Sequence, residues 1–249
     1  MNKTVIITGA SRGIGRATAI EFASHGYNVV LNSLNGGKNL VSAVDLCNQV
    51  LSKNADESLS AIGVKGDVSD PAFASELMSG VNRLFGGIDI LINNAGISYI
   101  GLIQDTDDAT WQKIMNTNLS SVHYCTRSVI PYMLSKKSGK IINISSVWGN
   151  RGASCEAAYS ASKGGLEAYT KAAAKELAPS GISVNAIACG CIDTDMNKCF
   201  SSEELKNLAD EIPIGRLGTA KEAAEAIFNT ALFPTYLTGQ IITFDGGWM

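Results

Sequence analysis

Short apolar runs alternate with longer amphipathic stretches along almost the entire chain. The apolar runs are continuous, which is typical of strands that are covered on both faces. They predict seven strands, at residues 4–8, 29–31, 59–64, 88–92, 140–144, 182–187 and 241–244. The amphipathic stretches predict helices at residues 14–25, 40–53, 71–85, 110–134, 157–178, 203–211 and 221–233. This alternation predicts an α/β fold with a doubly wound parallel sheet and helices on both faces.

Turn and cap residues support several of these boundaries. Gly26 ends the first helix, and Asp70 followed by Pro71 begins the third. An aspartate side chain can cap free N–H groups, and proline tolerates the first helical position. The helix at 110–134 is expected to be broken near Asn118. Because no linker rich in Pro, Gly or Ser divides the chain, we expect one domain of the Rossmann type.

The composition argues against several classes of partner. The 249 residues are 45% hydrophobic and carry a net charge of -3, which gives no basic footprint for nucleic acid. No run of about 18 apolar residues predicts a membrane span. The first residues also lack the apolar stretch of a signal peptide. We therefore expect a cytoplasmic protein without a membrane or nucleic-acid partner.

The cysteines do not have the spacing of a metal site. Six cysteines and two histidines are present, none of the cysteines forms a Cys-x-x-Cys pair, and Cys189 and Cys191 are the nearest approach to one. A zinc site needs clustered ligands at defined spacing. We expect no bound metal, and reduced thiols that behave mostly as small buried hydrophobes.

A glycine-rich segment follows the first strand and opens the first helix. Residues 8–15 read Thr-Gly-Ala-Ser-Arg-Gly-Ile-Gly. Such glycines let the backbone turn tightly beside a pyrophosphate, and the helix N-terminus supplies N–H groups and a positive dipole. The spacing differs from the common Gly-x-Gly-x-x-Gly, so the segment alone could also be a plain turn.

Two further groups of residues carry candidate chemistry. Asn93 and Asn94 follow the fourth strand and suit contacts to a ribose, contacts to a neighbouring strand, or an Asx turn.

Tyr159 and Lys163 lie one turn apart on a predicted helix face. Lowering a tyrosine pKa by three units needs about 4 kcal/mol, which one lysine charge at roughly 4 Å supplies at an effective dielectric near 20. Burial of the phenol opposes the shift.

The order and spacing of these motifs resemble the short-chain dehydrogenase/reductase family. The resemblance covers nearly the whole chain and includes Ser146, thirteen residues before Tyr159. It implies a dinucleotide-binding part at about 1–145 and a catalytic and substrate-loop part at about 146–249 of a single domain 1–249. Within the family, the chain is most similar to 3-oxoacyl-[acyl-carrier-protein] reductases.

The resemblance implies four catalytic residues. Tyr159 exchanges a proton with the substrate oxygen, and Ser146 orients that oxygen. Lys163 lowers the tyrosine pKa and binds the nicotinamide ribose. Asn118 holds a proton-relay water, with Asn116 as the competing candidate.

It also implies the residues that bind the dinucleotide. They are Gly9, Ser11, Arg12, Gly13, Ile14, Gly15, Asn32, Ser33, Asp67, Val68, Asn93, Asn94, Ala95, Gly96, Tyr159, Lys163, Gly190, Ile192 and Thr194. No carboxylate ends the second strand, whereas an acidic residue there would favour NAD(H). Arg12 can reach a 2′-phosphate, and Asn32 and Ser33 can hydrogen-bond it. We expect a preference for NADP(H), with NAD(H) as the alternative.

The expected substrate is a small-molecule ketone or an acyl thioester, reduced to a secondary alcohol. A hydroxysteroid, sugar or polyol is the alternative, and a non-catalytic dinucleotide sensor is a remote one. Substrate contacts are expected from Ser146, Tyr159, Trp148, Arg151 and Cys155, within loops that also include residues 98–101 and 191–200.

The resemblance also suggests macromolecular partners. An acyl carrier protein could dock on Lys136 and Lys137 beside the mouth of the site, although Pro179, Ser180 and Gly181 stand where some family members have arginine. A homotetramer is expected to form through the helices around 120–135 and 157–178, where Ala172, Ala173 and Ala174 would permit close helix approach.

Overall fold

All seven strands expected from the apolar runs are present in the computed structural model, which describes residues 2–53, 58–198 and 200–249. They are β1 (Thr4–Ile7), β2 (Asn28–Ser33), β3 (Ala61–Lys65), β4 (Ile90–Asn93), β5 (Gly139–Ser146), β6 (Ile182–Cys189) and β9 (Ile241–Phe244). Two further short strands, β7 (Ile192–Asp193) and β8 (Gly218–Thr219), pair with each other.

The expected helices are also present. They are α1 (Gly13–Ser24), α2 (Lys38–Leu51), α3 (Pro71–Phe85), α4 (Asp108–Met115), α5 (Ser121–Lys136), α7 (Ala157–Leu177), α8 (Ser202–Glu211) and α9 (Ala220–Leu232). A short helix that the pattern does not predict, α6 (Trp148–Arg151), follows β5. The helix expected at 110–134 is divided into α4 and α5 by a π-helical turn, Asn116–Ser120.

The seven long strands form one parallel sheet in the order β3-β2-β1-β4-β5-β6-β9. Strands β5, β6 and β9 therefore continue the sheet that β1–β4 begin. The described helices cover it on both faces: α1, α2 and α9 contribute to one apolar core, and α3, α5 and α7 to the other. Neighbouring side chains in β1 point to opposite cores, since Ile6 packs with the second and Ile7 with the first.

The three alanines near the end of α7 differ in burial. Ala173 and Ala174 are buried in the second core, whereas Ala172 is exposed. The expectation that all three alanines face a partner helix is therefore wrong for two of them, because α7 turns those two toward its own sheet. No helix in the described part of the chain is long and apolar enough to cross a membrane.

The chain order reverses between β1 and β4, which lie side by side at the centre of the sheet. In open parallel sheets, such a reversal leaves a crevice at the carboxyl ends of the strands, and ligands bind there. The loops after β1 and β4 flank this crevice, and they carry two of the motifs singled out from the sequence.

Candidate active site

A cavity of about 1230 Å³ occupies the crevice at the carboxyl ends of β1 to β4. Most of the expected dinucleotide residues line it. They are Gly9, Ser11, Arg12, Gly13, Ile14, Asn32, Ser33, Asp67, Val68, Asn94, Ala95, Gly96 and Thr194. The fold therefore brings together five segments that are far apart in the sequence.

The glycine loop lies directly against the segment that follows β4. Gly9 has a φ of +65°, and a Cβ atom there would lie 2.8 Å from the Cα atom of Ala95. The Asn94 amide nitrogen donates to the carbonyl oxygens of Thr8 and Gly9, at 2.9 and 3.0 Å. Gly15 packs against the same amide. Asn94 and Gly15 thus shape the loop from behind.

Asn93 has a different role in this structure. Its side chain is buried and donates to Asn143 of β5 at 2.9 Å. Asn143 in turn donates to Thr170 of α7 at 2.9 Å. Of the alternatives considered for Asn93, the geometry favours contact with a neighbouring strand.

The end of β2 presents neutral polar groups to the cavity. The Ser33 hydroxyl donates to Ser11 at 3.1 Å and to the Asn35 carbonyl at 3.2 Å. The Asn32 amide nitrogen donates to the Val64 and Gly66 carbonyls, so it is engaged with the backbone. Ser33 is therefore the better placed of the two to meet a ligand.

Arg12 lies on the exposed side of the glycine loop. Its guanidinium is 3.7 Å from the Asp195 carboxylate, which also pairs with Lys198 at 2.5 Å. A Cβ atom at Gly13 would lie 3.5 Å from Thr194. The segment after β7 thus lies across the glycine loop.

Several cavity residues are absent from the sequence-based set. They include Leu34, Asn35, Gly37, Lys38, Ser69, Gln112, Lys113 and Thr117. Lys38 could have been found from the sequence, because it is a cation that directly follows a turn signal, Gly36 and Gly37, just after β2. Lys113 and Gln112 gave no such signal, since only the packing of α4 brings them to the cavity.

Three of the four expected catalytic residues meet beside the carboxyl end of β5. Ser146 is the last residue of β5, and Tyr159 and Lys163 lie on α7. The three side chains are buried. The Lys163 Nζ atom donates to the Ile144 carbonyl at 2.7 Å and lies 5.7 Å from the centroid of the Tyr159 ring.

Asn118 joins this group through the π-helical turn. Its amide accepts from the Ile97 N–H and donates to the Ile97 carbonyl, both at 2.9 Å, and donates to Ser162 of α7 at 3.0 Å. A Cβ atom at Gly96 would lie 3.4 Å from the Asn118 Oδ1 atom and 3.6 Å from the Lys163 Nζ atom. Because Gly96 lines the cavity, it connects the cavity to the catalytic group. Asn116 instead accepts from Gln112, which favours Asn118.

Burial dominates the electrostatics of this group. Burial raises the pKa of Tyr159, and the carboxyl of Glu156 adds to the increase, while the Ser146 hydroxyl opposes part of it. The net direction is opposite to the lowering expected from Lys163. The phenol is therefore protonated at neutral pH, which is the state of a proton donor. Burial also lowers the pKa of Lys163 to about 8.

The cysteines nearest the site are poor nucleophiles. Cys189 is buried at the end of β6, and burial raises its pKa to about 12. Burial also raises the pKa of Cys191 to about 11, although Asn197 donates to its sulfur at 3.3 Å. Cys199 lies outside the described residues.

Gly190 and Ile192 contribute by packing. A Cβ atom at Gly190 would lie 2.8 Å from Asp245, and Ile192 is buried in the first core. Neither residue lines the cavity with the other expected dinucleotide residues.

The expected substrate residues lie on the far side of Ser146. The Trp148 N–H donates to the Ser146 hydroxyl at 3.3 Å, and its ring packs on Trp248 with centroids 5.1 Å apart. Arg151 is exposed at the end of α6. Cys155 has a φ of +63°, and its carbonyl accepts from Gly101 at 2.8 Å. Trp248 had no sequence signal, because only the fold brings the C-terminal segment here.

The expected docking lysines lie elsewhere. Lys136 pairs with Asp89 at 2.5 Å, at the amino end of β4, and Lys137 lies just before β5. Within one chain this is the edge of the sheet opposite the cavity. The expectation that these lysines flank the mouth of the site is therefore wrong for a single chain.

Comparison with known proteins agrees with this geometry. A family model described as short chain dehydrogenase matches residues 3–205. An uncharacterized oxidoreductase, YmfI of Bacillus subtilis, is 41% identical over 249 residues, covering 100% of this chain and 99% of the relative. The 3-oxoacyl-[acyl-carrier-protein] reductase FabG of Staphylococcus epidermidis is 38% identical, covering 99% of both chains. FabG of Salmonella typhimurium is also 38% identical, covering 98% of this chain and 96% of the relative. The chain therefore belongs to the short-chain dehydrogenase family and is an oxidoreductase that acts on CH–OH or keto groups.

Proposed function

We propose that this protein reduces a ketone to a secondary alcohol with NADPH, and that its substrate is a 3-oxoacyl thioester. The observation that carries the proposal is the group formed by Ser146, Tyr159 and Lys163, which adjoins the cavity through Gly96. The relatives named 3-oxoacyl-[acyl-carrier-protein] reductase support the choice of thioester.

The cavity fits a dinucleotide. Its glycine loop passes directly into the N-terminus of α1, where free N–H groups and the helix dipole favour phosphate. Asp67 and Val68, which line the cavity, would hold the adenine end of the cofactor, and Lys163 would bind the nicotinamide ribose. When bound, the cofactor supplies the hydride.

Proton transfer falls to Tyr159. Its phenol, protonated because burial raises its pKa, donates its proton to the substrate oxygen as the carbonyl is reduced. Ser146 orients that oxygen. Lys163 contributes a positive charge beside the phenol, and Asn118 fixes α7 against the segment after β4.

The preference for NADPH is supported by the lining of the cavity beside β2. Ser33, Ser11 and Asn35 offer neutral polar groups there, and Arg12 and Lys38 add positive charge. A carboxylate, which would repel a 2′-phosphate, does not end β2.

Three wider expectations stay predictions. They are a cytoplasmic location, delivery of the thioester by an acyl carrier protein, and the division of labour between residues 1–145 and 146–249.

The first experiment is NADPH oxidation against a panel of acetoacetyl thioesters, steroid ketones, sugars and diketones. We expect the thioesters to be the best substrates. Tyr159→Phe should lower kcat by about 100-fold or more, since it removes the general acid. Tyr169→Phe is the matched control, because it makes the same change on α7 away from Ser146 and should retain activity.

Two results would count against the proposal. Equal activity of Tyr159→Phe and the wild type would remove Tyr159 from the mechanism. Turnover of a steroid, sugar or polyol ahead of every thioester would retain the chemistry and replace the proposed substrate.

A further inference from the structure

A buried carboxyl on α7 has no role in the mechanism described above. Glu167 is 5% exposed and follows Lys163 by one helical turn, as Lys163 follows Tyr159. Residues four apart on a helix lie on the same face. Glutamate is rarely buried unless it is paired, so its position beneath the catalytic group requires an explanation.

The carboxyl is enclosed by three elements. The Ser145 hydroxyl donates to the Glu167 Oε1 atom at 2.9 Å, and both groups are buried. On the other side, a Cβ atom at Gly149 would lie 2.7 Å from the same oxygen and 2.9 Å from the main-chain carbonyl carbon of Lys163. The absence of a side chain at Gly149 thus lets α6 lie directly over the carboxyl.

The hydrogen bond connects the two elements that carry the catalytic residues. Ser145 immediately precedes Ser146 on β5, and Glu167 shares α7 with Tyr159 and Lys163. A bond between Ser145 and Glu167 therefore limits movement of Ser146 relative to Tyr159.

We propose that Glu167 is a positioning residue for the reaction: its carboxylate provides the negative charge that keeps the buried Lys163 ammonium protonated, and its bond to Ser145 fixes β5 against α7. This inference rests on the proposed function, in which Lys163 acts as a cation beside Tyr159.

The charges around Lys163 determine the sign of the effect. Burial lowers the pKa of Lys163 to about 8, while Cys189 of β6 and Glu167 of α7 both raise it. Cys189 is a protonated, uncharged thiol at neutral pH, because burial raises its pKa to about 12. Of the two groups, only Glu167 can therefore carry a negative charge there. Burial raises the pKa of Glu167, while the Ser145 hydroxyl, Lys171 and Lys163 oppose part of the increase. Removing the charge of Glu167 should therefore lower the pKa of Lys163 further.

The direct test is a titration of the lysine ε-carbons by NMR in the full-length protein, with Lys163 assigned from a Lys163→Met variant. In Glu167→Gln we expect the Lys163 midpoint to fall by about one pH unit. Glu176→Gln, the same change on the exposed part of α7, should leave it in place. Glu167→Asp retains the charge and should stay close to the wild type.

The kinetic test follows the alkaline limb of the pH profile. With whichever ketone the wild type reduces, kcat/KM should fall at a lower pH in Glu167→Gln, by the same shift as the titration. Because the titration needs no substrate, a wild type that reduces no ketone would contradict the proposed function and leave this test intact.

Three outcomes would overturn the proposal. They are an unchanged Lys163 midpoint in Glu167→Gln, an equal shift in Glu167→Asp, and a shifted midpoint with an unmoved alkaline limb. If Glu167→Gln does not fold, Glu167→Met takes its place, because proteins often tolerate the replacement of a buried charged group by an apolar side chain of similar length.

Discussion

Ser33 ends β2 at the position where a side-chain charge distinguishes the two dinucleotides. Its hydroxyl faces Ser11 and the Asn35 carbonyl, and all three residues line the cavity. Neutral donors at this point can hydrogen-bond a phosphate, whereas a carboxylate would repel one and hydrogen-bond a ribose. The cofactor preference should therefore depend on this residue more than on Asn32, whose amide nitrogen is engaged with the backbone of β3 and its following loop.

Ser33→Asp should reverse that preference. We expect kcat/KM for NADPH to fall by about 100-fold, or about 2.8 kcal/mol, because like charges then face each other. The value for NADH should rise. Steady-state kinetics with both cofactors measures the ratio, and Ser33→Asn is the control of similar size without charge. An unchanged ratio in Ser33→Asp would show that β2 does not select the cofactor.

At the scale of elements, the sequence correctly located the helices whose ends are set by neighbouring residues in the chain. Asp70, Pro71 and the apolar face predicted α3, and the structure confirms its bounds and its cap. The break near Asn118 was predicted, but not its form as a π-helical turn.

Elements that depend on distant contacts were missed. Strand β8 exists because Gly218 donates to Cys191 at 3.0 Å across 27 residues of chain (218 − 191). A two-residue strand has no periodicity to detect. Lys113 and Trp248 reach the site for the same kind of reason, since tertiary packing alone brings them there. The catalytic positions were identified from the resemblance, while their burial and its effect on the pKa of Tyr159 required the fold.

The cap of α3 gives a direct test of the local signals. The Asp70 carboxylate accepts from the Ala72 N–H at 2.9 Å. Asp70→Ala should lower the free energy of unfolding by about 1 kcal/mol and the Tm by roughly 2–4 °C. Glu76→Ala, an exposed change inside α3, should cost less. Equal effects of the two variants in thermal unfolding would mean that the cap contributes nothing.

At the scale of the whole molecule, the outer surface of α5 and α7 is the expected contact between copies. His123 and Arg127 of α5 are exposed, and the Tyr169 hydroxyl of α7 lies 3.5 Å from the His123 Nδ1 atom. The Arg127 guanidinium lies 5.7 Å from the centroid of the Tyr124 ring. Aromatic and arginine side chains are enriched at protein interfaces.

We expect the protein to form a homotetramer in solution. Light scattering coupled to size exclusion should give a mass of four times the 26.2 kDa chain. His123→Glu should lower this mass, because it places a buried charge at the contact. Lys53→Glu, a change on an exposed residue just after α2, is the control. A monomeric wild type would contradict the expectation.

The ion pair between Arg12 and Asp195 also affects how the glycine loop can bind a phosphate. Arg12 is one of the cations that line the cavity, yet it already pairs with the segment that crosses the glycine loop. A phosphate and Asp195 therefore compete for one guanidinium, so that binding of the first loosens the hold on the second. Because this ion pair is exposed, added salt screens it, and the same salt screens the attraction between Arg12 and a phosphate.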